Sequence, residues 1–272
     1  MTKKLIALDT DGTLLDPNDK ILESSKKVIK KALDHGIKVV LCSGRPIDGL
    51  KDYLAELGIT GSAQYVITLN GAIIRNTDDD IISENLVPNS FYRRMTAFGM
   101  ANKIPFNIVD ADSRIITADH NVDPLIYIQA FENNAPLYIR NPDQLPEDNI
   151  RIAKGCFVGK PELLDQWEKQ IRKEFGKELY VVRADPNFLE LLNSEVNKGY
   201  ALKQLCQRLN IMPENVIAIG DEKNDIPMFD FAGTAICMKN GNPEAKEAAD
   251  YVTAANNDDG IAKALKKFVF ND

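Results

Sequence analysis

Short apolar runs alternate with amphipathic segments over the first 70 residues of the chain. The runs at Leu5 to Leu8, Ile37 to Leu41 and Tyr65 to Leu69 are typical of strands buried on both faces of a sheet. Apolar residues at helical spacing between these runs predict two helices, one ending near Gly36 and one following Pro46. Alternating strands and helices indicate parallel strands with right-handed crossovers, and therefore an α/β fold with a doubly wound, mainly parallel sheet.

From about residue 72 the pattern changes to short strands and helices separated by turn residues, with a loop rich in Asn, Asp and Pro at 140–149. We interpret residues 85–192 as an inserted α+β domain. The core then consists of residues 1–84 and 193–272, so that its sheet is assembled from both ends of the chain.

The alternation of helix and strand returns after Asn197. A helix is predicted over Gly199 to Leu209 and a buried strand over Val216 to Ile219. The polar string Gly220-Asp221-Glu222-Lys223-Asn224-Asp225 follows that strand. Asp225 is predicted to cap a short helix in which Pro227 comes early.

Two acids directly follow the first predicted strand. In an extended backbone, Asp9 and Asp11 point to the same side, roughly 6–7 Å apart at their Cα atoms, and Gly12 allows a sharp turn. Close carboxylates are tolerated where a cation bridges them or one holds a proton, which makes the pair a candidate metal and acid/base site. A polar turn is the ordinary alternative. A calcium loop is excluded, because its sixth and twelfth positions would be Leu14 and Lys20.

Further polar strings fall at strand ends or helix starts of the same predicted sheet. They are Ser43 with Gly44 and Arg45, Lys198, and the acids around Asp221. Each has an ordinary interpretation, as a helix cap, a solvated lysine or a charged loop. Their joint placement is improbable by chance, and sheets of this class bind ligands at the carboxyl ends of their strands.

Composition narrows the function classes. The chain has 272 residues, 44% of them hydrophobic and 27% charged, which is typical of a globular protein with room for two domains. Its formal net charge of −7 argues against nucleic-acid binding, which depends on clustered Lys and Arg. An anionic ligand would have to be held by local donors or a metal.

The cysteines indicate neither a zinc site nor a disulfide framework, because Cys42, Cys156, Cys206 and Cys237 are widely separated. Reduced cysteines in the cytoplasm are the expectation. The apolar run before Asp9 is too short for a signal peptide, and no run approaches the roughly 18 residues that cross a bilayer. We therefore predict no membrane partner.

The polar strings resemble the motifs of the haloacid dehalogenase superfamily, and within it the Cof-type phosphatases with a large cap of the C2 type. Asp9 to Thr13 matches the Asp-x-Asp-Gly-Thr motif, and Ser43 the hydroxyl residue after the second strand. Lys198 and the string 220–225 match the third and fourth motifs. The resemblance covers essentially the whole chain and implies a Rossmann-like core with a cap. Thr10 departs from it, because an apolar residue is common there.

The resemblance implies a phosphatase mechanism with Mg²⁺. Asp9 would be the nucleophile that forms an aspartyl-phosphate, and Asp11 would protonate the leaving oxygen and then take a proton from water. Mg²⁺ would be bound by Asp9, by the backbone carbonyl of Asp11 and by Asp221. Asp225 would be a further ligand, directly or through water.

The same resemblance implies how a phosphoryl group is held. Ser43 and Lys198 would bind its oxygens, with backbone N–H groups at Gly44. Arg45 would support the phosphate or substrate, or be structural. Asn224 would donate to the phosphate or orient an acid.

The substrate implied is a small phosphorylated metabolite, most often a sugar phosphate, with pyridoxal phosphate or a nucleotide as less common possibilities. Specificity is expected from cap residues, among which no motif names a substrate. Asn70-Gly71 resembles a family position that faces the cap, but an Asn-Gly pair is first of all a hairpin turn, and a hairpin is the prediction.

Competing functions differ in what they require. A phosphorylation-switch receiver domain would be about half this length and have adjacent acids, and a dehalogenase has no evident use for Asp11. A phosphomutase of the same superfamily and a non-catalytic phosphosugar-binding sensor both remain alternatives. The sensor would not require an intact nucleophile, acid and metal ligands.

Overall fold

The computed structural model describes residues 3–145 and 150–270, so part of the predicted loop at 140–149 lies outside the described residues. Contacts divide the chain into two compact units. The first comprises Met1–Ser43, Asp52–Ser83 and Asn197–Asp272, and the second comprises Gly44–Lys51 and Glu84–Val196.

The strands and helices are numbered in chain order. The strands are β1 Leu5–Leu8, β2 Lys38–Cys42, β3 Tyr65–Thr68, β4 Ile73–Asn76, β5 Ile81–Glu84, β6 Phe106–Asp110, β7 Ile115–Thr117, β8 Leu137–Ile139, β9 Ile152–Val158, β10 Leu179–Asp185, β11 Phe188–Asn193, β12 Val216–Gly220, β13 Thr234–Cys237 and β14 Tyr251–Val252. The helices are α1 Glu23–Asp34, α2 Lys51–Glu56, α3 Asn89–Asn102, α4 Pro124–Glu132, α5 Pro161–Phe175, α6 Lys198–Leu209, α7 Ile226–Phe231, α8 Pro243–Ala248 and α9 Gly260–Leu265.

The first unit is built on a sheet with the strand order β14-β13-β12-β1-β2-β3-β4-β5. The pairs from β14 to β3 are parallel, and β3 pairs with β4 in antiparallel orientation. The predicted fold class, a mainly parallel sheet assembled from both chain ends, is confirmed.

The strand register brings the polar strings to one edge of this sheet. Leu8 of β1 lies opposite Ile219 of β12 and Leu41 of β2. Because these strands are parallel and end at the same level, the residues after each of them emerge at the same edge. That edge therefore carries the loops that begin at Asp9, Ser43 and Gly220.

The central strands β1 and β12 are completely buried, which explains their continuous apolar sequence. On one face, alternate residues such as Leu5 and Ala7 pack with Leu202 of α6 and Phe229 of α7. Helix α1 contacts β2 and α9.

The second unit is an α+β sheet with the order β10-β11-β9-β6-β7-β8, antiparallel except for the β7–β8 pair. Its core is formed by α3, α5 and one face of the sheet, with Tyr92, Phe157 and Phe175 among the buried residues. The longer segment of this unit, Glu84–Val196, contains residues 85–192, whose role as an inserted domain stays a prediction.

The helix predicted after Pro46 is shorter than expected. Residues Ile47–Gly49 form a 3₁₀ turn, and the α-helix begins at Lys51. Tightened first turns of this kind are frequent at helix ends.

Candidate active site

Asp9 is the first residue beyond β1. Its backbone N–H donates to the carbonyl of Ile219 at 2.9 Å, which continues the β1–β12 ladder, and its side chain is buried. Residues Thr10–Leu14 then wind into one wide turn. Asp11 lies on this turn as an exposed residue, so the two acids differ in their environments although they are two positions apart.

Lys198 is buried between two carboxylates. Its Nζ donates to Oδ1 of Asp9 and to Oδ1 of Asp225, both at 2.6 Å. The lysine opens α6, where the side chain of Asn197 accepts from the N–H of Tyr200 and caps the helix. Burial alone would lower the pKa of Lys198, but the charges of Asp225 and Asp9 and their hydrogen bonds raise it above its ordinary value. The lysine is therefore a fixed positive charge.

Asp225 is directed back towards its own loop. Its Oδ2 accepts from the N–H of Asp221 at 2.8 Å and from that of Glu222 at 3.0 Å. The prediction that it caps the following helix is wrong, because its side chain makes no capping bond to α7. The carboxylate instead links Lys198 to the backbone that carries Asp221.

Asp221 is held by the turn that follows β1. The hydroxyl of Thr13 donates to Oδ1 of Asp221 at 2.9 Å. Gly12 has a φ of 75°, and a Cβ built there would lie 2.3 Å from Oδ2 of Asp221. A side chain at position 12 would therefore displace the carboxylate, which is the physical reason for a glycine in this motif.

The acids form a buried cluster. Within the part of the chain that the structure describes, carboxylate oxygens of Asp9, Asp221 and Asp225 lie within 4.8 Å of one another. Burial, and then the charge of Asp225, raise the pKa of Asp9 well above its usual range and that of Asp221 to about 7.

This cluster fits a bound divalent cation. Three carboxylates face one lysine, so the ionised cluster has a negative charge that is not balanced by Lys198. Carboxylate oxygens are the ligands that Mg²⁺ prefers in proteins. Both oxygens of Asp225 already accept hydrogen bonds, whereas Oδ2 of Asp221 faces Gly12 at the turn after β1.

Ser43, the predicted phosphate ligand after β2, is completely buried. Its N–H donates to the carbonyl of Ile67 and its own carbonyl accepts from the N–H of Asn70, each at 2.9 Å. The loop after β2 is thus tied to β3 and to the turn that follows β3.

Gly44 and Arg45 belong to the second compact unit. The carbonyl of Gly44 accepts from Nζ of Lys154 at 3.1 Å, and Nη1 of Arg45 donates to the carbonyl of Glu132 at 3.1 Å. The structure thus gives Arg45 a contact to the end of α4, and its role towards phosphate stays a prediction.

Asn224 pairs with a residue to which the sequence assigned no role at the site. Its Nδ2 donates to Oδ1 of Asn70 at 3.0 Å. The predicted hairpin at Asn70-Gly71 is confirmed, because residues Leu69–Gly71 form the turn from β3 to antiparallel β4. What could have pointed to Asn70 is its place after the third parallel strand, at the edge that also carries Ser43.

Comparison with known proteins identifies the family of this chain. A family model described as haloacid dehalogenase-like hydrolase matches residues 6–265. The chain belongs to this family. The haloacid dehalogenase-like chain is 36% identical over 267 residues to YxeH of Bacillus subtilis (strain 168), covering 98% of each protein. It is 29% identical over 266 residues to 5-amino-6-(5-phospho-D-ribitylamino)uracil phosphatase YcsE of the same strain, covering 98% of the chain and 96% of YcsE.

A solved structure shares the fold over nearly the whole length. The crystal structure of a haloacid dehalogenase-like hydrolase from Bacteroides thetaiotaomicron superposes with a TM-score of 0.88 at 31% identity, covering 98% of this chain and 99% of that one. Relatives such as YcsE and YwpJ are named phosphatases, and this member of the haloacid dehalogenase-like hydrolases is a phosphatase. Among the described residues, no helix combines the length and apolar character that crossing a membrane requires.

Proposed function

We propose that this phosphatase is a Mg²⁺-dependent phosphomonoester hydrolase that acts on small phosphorylated metabolites, with sugar phosphates as the substrate class. The observation that carries the proposal is the cluster in which Lys198 bridges Asp9 and Asp225 with Asp221 beside them. A nucleophilic carboxylate, a fixed cation and carboxylate ligands are the groups that phosphoryl transfer through an aspartate requires.

In the first step, a carboxylate oxygen of Asp9 attacks phosphorus and the bond from phosphorus to the alcohol oxygen breaks. Asp11 gives its proton to that oxygen, so that a neutral alcohol leaves and an aspartyl-phosphate remains. In the second step, Asp11 takes a proton from water as the water attacks phosphorus. The bond from phosphorus to the Asp9 oxygen breaks, so inorganic phosphate leaves, Asp9 is again a free carboxylate, and Asp11 again holds a proton.

Asp9, Asp221 and the carbonyl of Asp11 would hold the Mg²⁺ ion, which supplies charge stabilisation to the phosphoryl oxygens when bound. Because both oxygens of Asp225 accept hydrogen bonds from Lys198 and from backbone N–H groups, we assign Asp225 to positioning, with any contact to the metal through water. That Lys198 lies against Asp9 supports a role in offsetting the repulsion between the phosphate and the nucleophile.

Ser43, Lys198, Asn224 and the N–H groups at Gly44 are assigned to the phosphoryl oxygens, with Arg45 as a supporting group. Residues 85–192 are assigned to substrate selection. The name of YcsE supports a phosphorylated sugar-like substrate, since it specifies a phosphate on a ribityl chain.

The test is phosphate release from a panel of sugar phosphates, nucleotides and pyridoxal phosphate with Mg²⁺. The variants are Asp9→Asn and, as a matched control, Asp230→Asn, which makes the same change at an exposed position on α7. We expect Asp9→Asn to abolish turnover, Asp230→Asn to retain it, and chelation to remove activity that added Mg²⁺ restores. Activity that survives in Asp9→Asn or in chelator would overturn the mechanism, and binding without turnover would favour the sensor.

A further inference from the structure

The three residues that follow β3 adopt left-handed backbone conformations one after another. The φ angle is 54° at Leu69, 57° at Asn70 and 102° at Gly71. Residues with a Cβ rarely adopt such values, and a leucine has no polar group that could compensate locally. Strain of this kind persists where the surrounding structure holds it, and it concentrates at functional sites.

Asn70, at the centre of this turn, is tied to two loops that are distant in sequence. Its backbone N–H donates to the carbonyl of Ser43 at 2.9 Å, and its side-chain Oδ1 accepts from Nδ2 of Asn224 at 3.0 Å. Asn70 itself is 2% exposed, so its own side chain is shielded from water. An ordinary hairpin requires neither of these two hydrogen bonds.

The next residue of the turn packs against the start of α6. A Cβ on Gly71 would lie 2.5 Å from the carbonyl oxygen of Asn197 and 2.8 Å from its carbonyl carbon. Asn197 caps α6 and directly precedes Lys198. One turn therefore touches the loop of Ser43, the loop of Asn224 and the residue before the lysine that binds Asp9.

We propose that Asn70 is a positioning residue of the phosphatase site, whose side-chain amide fixes the Asn224 loop relative to Ser43 and Lys198. The inference rests on the proposed function, because it concerns the same site. These loops come from separate parts of the sequence, so tertiary contacts must set their relative positions. A shift of about 1 Å in such a group can reduce turnover by roughly 100-fold.

The test distinguishes the role of the Asn70 side-chain amide from that of the Asn70 backbone N–H. Asn70→Gly keeps a backbone that accepts the left-handed conformation and keeps the N–H that donates to Ser43, and it removes the side-chain amide with its bond to Asn224. The matched control is Asn210→Gly, which makes the same change at a φ of 53° at the other end of α6 from Lys198.

With p-nitrophenyl phosphate and Mg²⁺, we expect kcat of Asn70→Gly to fall roughly 10- to 100-fold, with a smaller change in KM and no more loss of Tm than in Asn210→Gly. Asn210→Gly should keep the wild-type kcat. Asn224→Ala should lose at least as much kcat, because it also removes an amide assigned to the phosphoryl oxygens, and the double variant Asn70→Gly with Asn224→Ala should lose no more than Asn224→Ala alone.

A kcat of Asn70→Gly within about twofold of wild type would overturn the inference, as would a fall in Tm that accounts for the lost activity, or additive losses in the double variant. If the wild type hydrolyses no phosphomonoester, the proposed function fails separately. In that case, calorimetry measures how tightly each variant binds inorganic phosphate in the presence of Mg²⁺. An affinity about tenfold weaker in Asn70→Gly than in Asn210→Gly supports the positioning role, and equal affinities overturn it.

Discussion

The ammonium group of Lys198 lies 2.6 Å from Oδ1 of Asp225, and neither side chain is accessible to solvent. The other oxygen of Asp225 accepts from the backbone N–H of Asp221. The lysine therefore acts on the acid cluster in two ways: its charge stabilises the carboxylates, and its partner Asp225 holds the loop that carries a predicted metal ligand.

Replacing Lys198 with Met should destabilise the protein and make it more dependent on Mg²⁺. Loss of one partner from a buried ion pair costs about 3–5 kcal/mol of unfolding free energy, because the remaining charge is left buried without compensation. Without the competing ammonium group, Mg²⁺ should stabilise Lys198→Met more than wild type. Urea unfolding with and without Mg²⁺ measures both effects.

The matched control is Lys154→Met, which breaks the buried ion pair of Lys154 with Glu190 in the second unit. It should lose stability of a similar order while gaining no more from Mg²⁺ than wild type does. An equal gain from Mg²⁺ in both lysine variants would contradict a specific role for Lys198 at the metal site.

The pKa of Asp221 predicts how the metal-free protein responds to pH. Burial and the charge of Asp225 raise this pKa from 3.8 to about 7 in the folded state. The folded state therefore binds this proton more tightly than the unfolded state does, and the stability it contributes is present below about pH 4 and lost as the pH rises towards about 7. Removing Mg²⁺ should consequently lower Tm more at neutral than at acidic pH.

Thermal unfolding in chelator across this pH range, beside Asp221→Asn, isolates the effect. The variant cannot ionise at this position, so its Tm relative to wild type should rise as the pH approaches 7, and Mg²⁺ should raise its Tm less than that of wild type. A difference in Tm between the two proteins that is constant with pH would show that the Asp221 pKa is not raised.

Thr13→Val tests the hydrogen bond that orients Asp221. The substitution keeps the shape of the side chain and removes the donor to Oδ1. Residues that orient metal ligands affect metal affinity by about 10- to 100-fold, so the Mg²⁺ concentration for half-maximal activity should rise by that order while kcat at saturating Mg²⁺ changes little. Thr253→Val is the control, because Thr253 is also buried but its hydroxyl donates to the carbonyl of Gly260. An equal change in Mg²⁺ requirement in both variants would exclude the orienting role.

Much of the site could be predicted because it depends on topology. In a parallel sheet, residues after neighbouring strands must emerge together, and the pattern of apolar runs was sufficient to place Asp9 and Asp221 at one edge. The fold class followed from the same pattern.

The direction in which the Asp225 carboxylate points could not be predicted from the topology of the sheet. An aspartate before a helix has a local preference for capping that helix, but here the N–H groups of Asp221 and Glu222 and the ammonium of Lys198 compete for its oxygens and prevail. Asn70 was missed for a related reason. Local turn preference explains an Asn-Gly pair completely, and nothing in the adjacent sequence indicates its bond to Asn224.

Asp11→Asn should impair turnover without disturbing the acid cluster, because Asp11 is exposed on the turn while Asp9 is buried. Loss of a general acid reduces rates by about 10²- to 10⁴-fold, and the loss depends on how much the leaving group needs a proton.

With an alkyl phosphate, the first step itself should be slow. With p-nitrophenyl phosphate, whose leaving group needs no protonation, formation of the aspartyl-phosphate should stay fast and its hydrolysis become limiting. A burst of p-nitrophenol followed by slow turnover is the expected signature in rapid-mixing experiments, together with unchanged stabilisation by Mg²⁺. Equal losses with both substrates and no burst would assign Asp11 to binding or folding and not to proton transfer.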